Sequence, residues 1–352
     1  MVNTMKPIEV GVLGGTGMVG QHFVRFLQGH PWFKLTWLGA SDRSAGKPYH
    51  DATTWRLEGD MPAEATDILV TECKPSGAPR VVFSAMDASV AGPIELEFAQ
   101  AGHIVVSNSR NHRMEPDVPL LVPEINAAHL GLIRAQQRNR GWRGMIVTNP
   151  NCSTVVLTMA LAPLLPFGID RVLVTTMQAV SGAGYPGVSS MDILGNVVPF
   201  IGGEEDKMQQ ETQKILGGIK EGTLQPLEAR VSATCNRVAV TDGHMVSASV
   251  AFRKKPSLAE VRDALNSFRG APQERNLPSA PAQPVVYIEQ QDRPQPRRDA
   301  TRDNGMGITV GRLRECNVLD AKFLACGHNA IRGAAGAAVL NAELMVAEGF
   351  LD

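Results

Sequence analysis

The stretch GVLGGTGMVGQ, residues 11–21, constrains this chain more than any other. It places Gly14, Gly17 and Gly20 at three-residue intervals. They follow the apolar β-branched run Ile8–Leu13 and open the helical pattern Met18–Leu27. Glycine allows a tight turn with positive φ and lets backbone approach a phosphate closely, and the next helix presents unpaired N–H groups and a partial positive charge. A strand, a glycine turn and a helix in that order predict a dinucleotide site. Its expected contacts are Gly14, Thr16, Gly17, Met18 and Val19.

The next strand agrees with such a site. Lys34–Leu38 reads as a second strand and ends in Ala40-Ser41-Asp42-Arg43-Ser44. An acid at this strand end would favour the ribose hydroxyls of NAD. Ser41, Arg43 and Ser44 instead offer hydroxyls and a guanidinium suited to a 2′-phosphate, so NADP is expected, although Asp42 in their midst would repel it. The short runs Val81–Ser84 and Ile104–Val106 flank a helical pattern, Ile94–Ala101, and Met145–Val147 closes the series. This alternation predicts an α/β, doubly wound parallel sheet over residues 1–150. No motif marks residues 61–79.

Beyond Cys152 the texture changes. Thr154–Leu165 reads as an apolar helix stopped by proline. Val172–Met177, Val238–Val240 and Met245–Phe252 read as strands of a second sheet. Ser257–Phe268 reads as a helix with Ser257 as N-cap and Glu260 in the capping-box position. Residues 278–296 hold five prolines and read as a surface loop around one strand, Val285–Ile288, and the alanine-rich tail Asn329–Ala347 reads as helical.

The formal net charge is −1, which argues against nucleic acid or an anionic membrane as partner. No apolar run is long enough to span a bilayer, and the N-terminus lacks a signal-peptide layout. The five cysteines are widely spaced, without a C-x-x-C pair, so reduced thiols in a cytoplasmic setting are expected, with no metal site. Cys152 stands apart. In VTNPNCSTVV it falls between a strand and a helix start, where the helix dipole would lower its pKa and favour thiolate. Cys73, Cys316 and Cys326 read as small hydrophobes.

Taken in order, the GGTGMVG turn, TNPNCST, QAVSGAG and HNAIRGAAG closely resemble the aspartate-β-semialdehyde dehydrogenases. SNSRNHRMEPDVPLLVPEIN and GNVVPFIGGEEDKM point to the fungal and archaeal branch. The likeness runs from Val10 to about Met345. The family segment usually carries serine where Thr148 stands here. The resemblance implies Cys152 as nucleophile, His244 as acid–base and Gln178 as the residue orienting substrate. It implies Arg237 on the substrate carboxylate, Arg113 and Lys207 on a phosphate, and Glu204 on the substrate amine. It adds Ser181, Gly182 and Asn329 to the cofactor site. It also implies an α+β catalytic and dimerisation domain with a mixed sheet over 151–327, a C-terminal helix (328–352) returning to the first domain, and a homodimer or homotetramer.

Arg237 and His244 lie seven residues apart, an odd offset that on one strand would put them on opposite faces unless a bulge at Gly243 re-aims them. The implied reaction is NADP-dependent reduction of L-aspartyl-4-phosphate to L-aspartate 4-semialdehyde through a Cys152 thioester. Inorganic phosphate is the acyl acceptor in reverse, and the family places the step in lysine (through diaminopimelate), threonine and methionine biosynthesis. Two alternatives stand beside it: a malonyl- or succinyl-CoA reductase on the same scaffold, and a non-catalytic NADP-binding regulator.

Overall fold

A computed structural model describes residues 6–351. The first six strands are β1 (Ile8–Leu13), β2 (Phe33–Ala40), β3 (Val70–Glu72), β4 (Val81–Ser84), β5 (Ile104–Ser107) and β6 (Met145–Thr148). They form one all-parallel sheet in the order β3-β2-β1-β4-β5-β6. The order reverses direction at β1, so the carboxyl ends of β1 and β4 open a crevice, the usual ligand position in such sheets. Helices α1 (Met18–Leu27), α2 (Ala88–Gln100) and α3 (Leu132–Arg140) belong to this unit. Buried β-branched residues on β1, β4 and β5 account for the near-continuous apolar runs.

Next comes α4 (Cys152–Leu161), then β7 (Ile169–Gln178), α5 (Glu204–Ile215) and a small hairpin of β8 (Gly218–Lys220) and β9 (Thr223–Gln225). After them come β10 (Arg230–Arg237), β11 (His244–Phe252), α6 (Leu258–Ser267), β12 (Val285–Ile288), β13 (Ile308–Glu315) and β14 (Ala321–Gly327). The second sheet runs β10-β7-β11-β14-β13-β12. It is mixed, with β10/β7 and β12/β13 parallel and the other pairs antiparallel. α4 and α5 pack on it, contributing Val156, Met159, Met208 and Ile215 to its core. The last helix, α7 (Ala335–Ala347), packs in the core of the first sheet, where Val339, Leu340 and Leu344 meet Val10, Phe23 and Phe83.

Several local expectations need correction. Val238–Val240 is no strand. β10 ends at Arg237, and Val240 N–H bonds to Val238 O at 2.8 Å, a tight turn leading into β11. The apolar helix starts at Cys152 because Asn151 caps it, and it tightens into a 3₁₀ turn over Ala162–Phe167 at the prolines. The helix expected from Ile94 begins at Ala88, capped by the Asp87 carboxylate and carrying Pro93 inside it. The tail turns over residues 328–334 before becoming helical at Ala335. Residues 61–79, which offer no motif, contain β3. The capping box of Ser257 and Glu260 is present. Among the described residues no helix is long and apolar enough to cross a membrane.

Candidate active site

Neighbouring chain segments bring one set of polar side chains together. Asn151 is the N-cap of α4, accepting from the N–H groups of Ser153 (3.0 Å) and Thr154 (3.2 Å). That leaves Cys152 in the first turn, half-buried, with Sγ 3.1 Å from Nε2 of His244. His244 opens β11 and Gln178 closes β7. Arg237 pairs in register with Gln178, and Met245 pairs with Met177. Three adjacent strand ends therefore present Arg237, Gln178 and His244 side by side. The odd offset between Arg237 and His244 needs no bulge, because the two sit on different strands with β7 between them.

The hydrogen bonds fix these side chains. Arg237 Nη1 donates to Ala179 O (2.8 Å), and Gln178 Nε2 donates to Ser153 Oγ (2.9 Å). Gly182 occupies the space between Arg237 and His244. A Cβ there would lie 2.8 Å from Arg237 Nη1 and 2.8 Å from His244 Cε1. Asn329 bridges three segments, accepting from Gly243 N–H (2.9 Å) and donating to Ser181 Oγ (2.8 Å). Gly333, in the C-terminal turn, is equally constrained: a Cβ there would lie 2.5 Å from that of Cys152.

On the other side stand Glu204 and Lys207 at the start of α5, and Arg113 on the loop after β5. Glu204 accepts from Asn151 Nδ2 (2.7 Å) and from Lys207 Nζ (3.2 Å). Arg113 donates to Glu211 Oε1 (3.0 Å) and Asn108 O (2.7 Å). The acidic run around Glu204 has the look of a solvated helix start, yet Glu204 is buried.

Electrostatics reverse one expectation. Burial pushes the Cys152 thiol up to about 12, and the Glu204 carboxylate pushes the same way, while Arg113 and Arg237 only partly offset it. The helix start cannot overcome this desolvation. Two of its free N–H groups are also taken by the Asn151 side chain, so they are not open to an oxyanion. Burial lowers His244 to about 3, with Arg237 and His328 adding to the effect. The resting pair is a neutral thiol and a neutral imidazole.

The glycine turn faces a cavity of about 450 Å³ lined by Gly14, Thr16, Gly17, Ser41, Asp42 and Lys74, among others. Gly17 caps α1 without a side-chain bond, and the first turn carries no acid, so its N–H groups remain free for an anion. Met18 and Val19 form that first turn. Gly14 has φ +76°, and a Cβ there would lie 2.9 Å from Ala85 O, so the cradle suits a close phosphate. Arg43 and Ser44 stand outside the lining, whereas Lys74, paired with Glu72, lies within it.

A dinucleotide crevice in one domain and a thiol–imidazole pair at the start of the next mark a two-domain nucleotide-dependent dehydrogenase. The sequence profile described as semialdehyde dehydrogenase, NAD binding domain, matches residues 9–133, and the one described as semialdehyde dehydrogenase, dimerisation domain, matches residues 161–332. The aspartate-semialdehyde dehydrogenase of Methanothermobacter thermautotrophicus is 52% identical over 343 residues, 96% of this chain and 99% of that one. That of Schizosaccharomyces pombe is 48% identical, covering 97% of this chain and 99% of its own. The crystal structure of the Candida albicans enzyme with NADP superposes with a TM-score of 0.91 at 46% identity, over 98% of this chain and 99% of that one. The chain belongs to the aspartate-semialdehyde dehydrogenase family, in the branch with archaeal and fungal members.

Proposed function

We propose that this chain interconverts L-aspartyl-4-phosphate and L-aspartate 4-semialdehyde with NADP, through a thioester on Cys152. The observation that carries the reading is the 3.1 Å approach of Cys152 Sγ to His244 Nε2, with the charges of Arg113 and Arg237 both felt at the sulfur. Gly14, Thr16, Gly17 and Ser41 line the cavity that would hold the cofactor, which would provide hydride as NADPH in the reductive direction and accept it as NADP in reverse. The solved relative carries the same cofactor.

This chain's own residues do the rest. Arg237 offers a fork of donors to the substrate carboxylate, while Arg113 and Lys207 offer positive charge to the phosphoryl group. Glu204 faces the substrate amine. Cys152 sulfur attacks the acyl carbon, its proton leaves with the departing phosphate, and the acyl group is held as a thioester. His244 Nδ1 accepts from Ala179 N–H at 3.1 Å, so the neutral ring carries its proton on Nε2. That Nε2–H points to the sulfur and to the oxygen of a tetrahedral adduct on it, and donates there. Gln178, tied to Ser153, sets the face on which the substrate lies.

The CoA-reductase and regulator readings have less support, since the relatives carry the semialdehyde dehydrogenase name and the nucleophile pair is assembled. The dimerisation-domain match supports a homo-oligomer. We read it as a dimer or tetramer of a cytoplasmic biosynthetic enzyme acting in lysine, threonine and methionine synthesis. Mixing enzyme, NADP and aspartate semialdehyde without phosphate should give a burst of about one NADPH per active site, then a slow rate. Phosphate should restore turnover, and Lys207→Ala should raise the phosphate KM more than the aldehyde KM. Restoration by coenzyme A and not by phosphate would give the site to an acyl-CoA reductase.

A further inference from the structure

One face of α5 carries Glu204, Lys207, Glu211 and Lys214 at helical spacing. The last two belong to no motif and touch no reacting atom, yet both are buried, each only 2% exposed. Ionised side chains are kept inside a protein only where partners satisfy them. Here the partners are the residues that build the site.

Glu211 spends its two oxygens on two different segments. Oε1 accepts from Arg113 Nη1 at 3.0 Å, and Oε2 accepts from the backbone N–H of Asn151 at 2.6 Å. Asn151 in turn caps the helix that begins at Cys152. Lys214 has three N–H donors and uses all of them on the loop that bears Arg113. It donates to Arg113 O (2.6 Å), Glu115 O (2.8 Å) and Val118 O (2.9 Å). Arg113 is thus held at its side chain by Glu211 and at its backbone by Lys214. Asn151 is held at its backbone by Glu211 and at its side chain by Glu204.

We propose that Glu211 and Lys214 are positioning residues through which one face of α5 fixes the anion-binding Arg113 relative to the Cys152 nucleophile. The proposal rests on the reading of Arg113 as a phosphate contact. A single carboxylate sets both the direction of the guanidinium and the turn that delivers the sulfur. Phosphate binding and thioester formation therefore share one support, and a fault in Glu211 reaches both.

The test uses the whole enzyme and two readouts: the rate of the NADPH burst without phosphate, and the KM for inorganic phosphate. E211Q keeps the size of the side chain, loses its charge and offers an amide N–H where an acceptor is needed. It should slow the burst several-fold and raise the phosphate KM about tenfold, with both changes larger than in an exposed control such as Glu274→Gln. In an Arg113→Ala background, E211Q should leave the phosphate KM where Arg113→Ala alone puts it, while still slowing the burst. A merely structural role would alter stability but not produce this split. Glu211→Asp keeps the buried charge but is one methylene short of bridging both partners, and it carries the same test should E211Q not fold. Wild-type burst and KM in these variants would overturn the proposal, as would an equal rise in phosphate KM with and without Arg113. If Arg113→Ala alone leaves the phosphate KM unchanged, the reading of Arg113 falls, and the burst still reports on Glu211.

Discussion

The backbone N–H of Ala179 donates to Nδ1 of His244 at 3.1 Å, so the ring meets Cys152 Sγ with its protonated nitrogen. A second proton on Nδ1 would face that N–H, and burial together with Arg237 already lowers the imidazole to about 3. His244 in the free enzyme is therefore a donor, and the thiol keeps its own proton.

The free thiol should accordingly behave as a weak nucleophile. A group pushed up to about 12 gains thiolate roughly tenfold per pH unit below that value. Iodoacetamide inactivation should climb steadily from pH 6 to beyond pH 9 without levelling. A plateau by pH 8 would show a thiolate already formed in the resting enzyme.

Gly182→Ala should damage catalysis while sparing the fold. The added methyl would press on both Arg237 and His244, and displacement of reacting groups by about 1 Å can cost a hundredfold. The expected result is a kcat/KM about a hundredfold lower, with a melting temperature within a few degrees of wild type. An active variant would mean that the two side chains yield without consequence.

Replacement of Lys74 by alanine should raise the KM for NADP about tenfold and leave that for NAD nearly unchanged, the worth of one charge-assisted bond to a 2′-phosphate. Arg43→Ala should shift NADP in the same sense by less, because Arg43 stands outside the cavity lining. Equal losses for both cofactors would refute a 2′-phosphate contact.

Arg332→Met should destabilise the protein by about 3–5 kcal/mol, since it strands a buried carboxylate. Arg332 and Glu124 are both fully buried at their side chains and joined by two hydrogen bonds, 2.8 and 2.6 Å. Denaturant unfolding checks this. The double change Arg332→Met with Glu124→Gln should recover part of the loss.

Features decided within a few residues are legible in the sequence. The glycine turn and the Ser257–Glu260 capping box are complete within one helical turn, and both are present. Cys152 stands out for a similar reason, because strand and helix adjoin it in the chain. Its protonation state is not legible in the same way. The helix end is a local influence, whereas burial depends on Glu204, His244 and Gly333 arriving from far along the sequence. The strands β13 and β14 leave no clear sequence signal. Arg312, Arg314 and Lys322 break their apolar pattern, and only the finished sheet shows which face these residues occupy. Glu211 and Lys214 look like any solvated helix face until the loop of residues 113–118 closes over them.

The placement of α7 bears on how the protein is made. Its apolar face completes the core around Val10 and Phe23, yet it is synthesised after the entire second sheet. On a ribosome the first sheet emerges early, but α7 reaches its core only after the strands of the second sheet have been made. The nascent amino-terminal half, with aromatic and β-branched surface uncovered, is the stage at which a chaperone would find the most to hold.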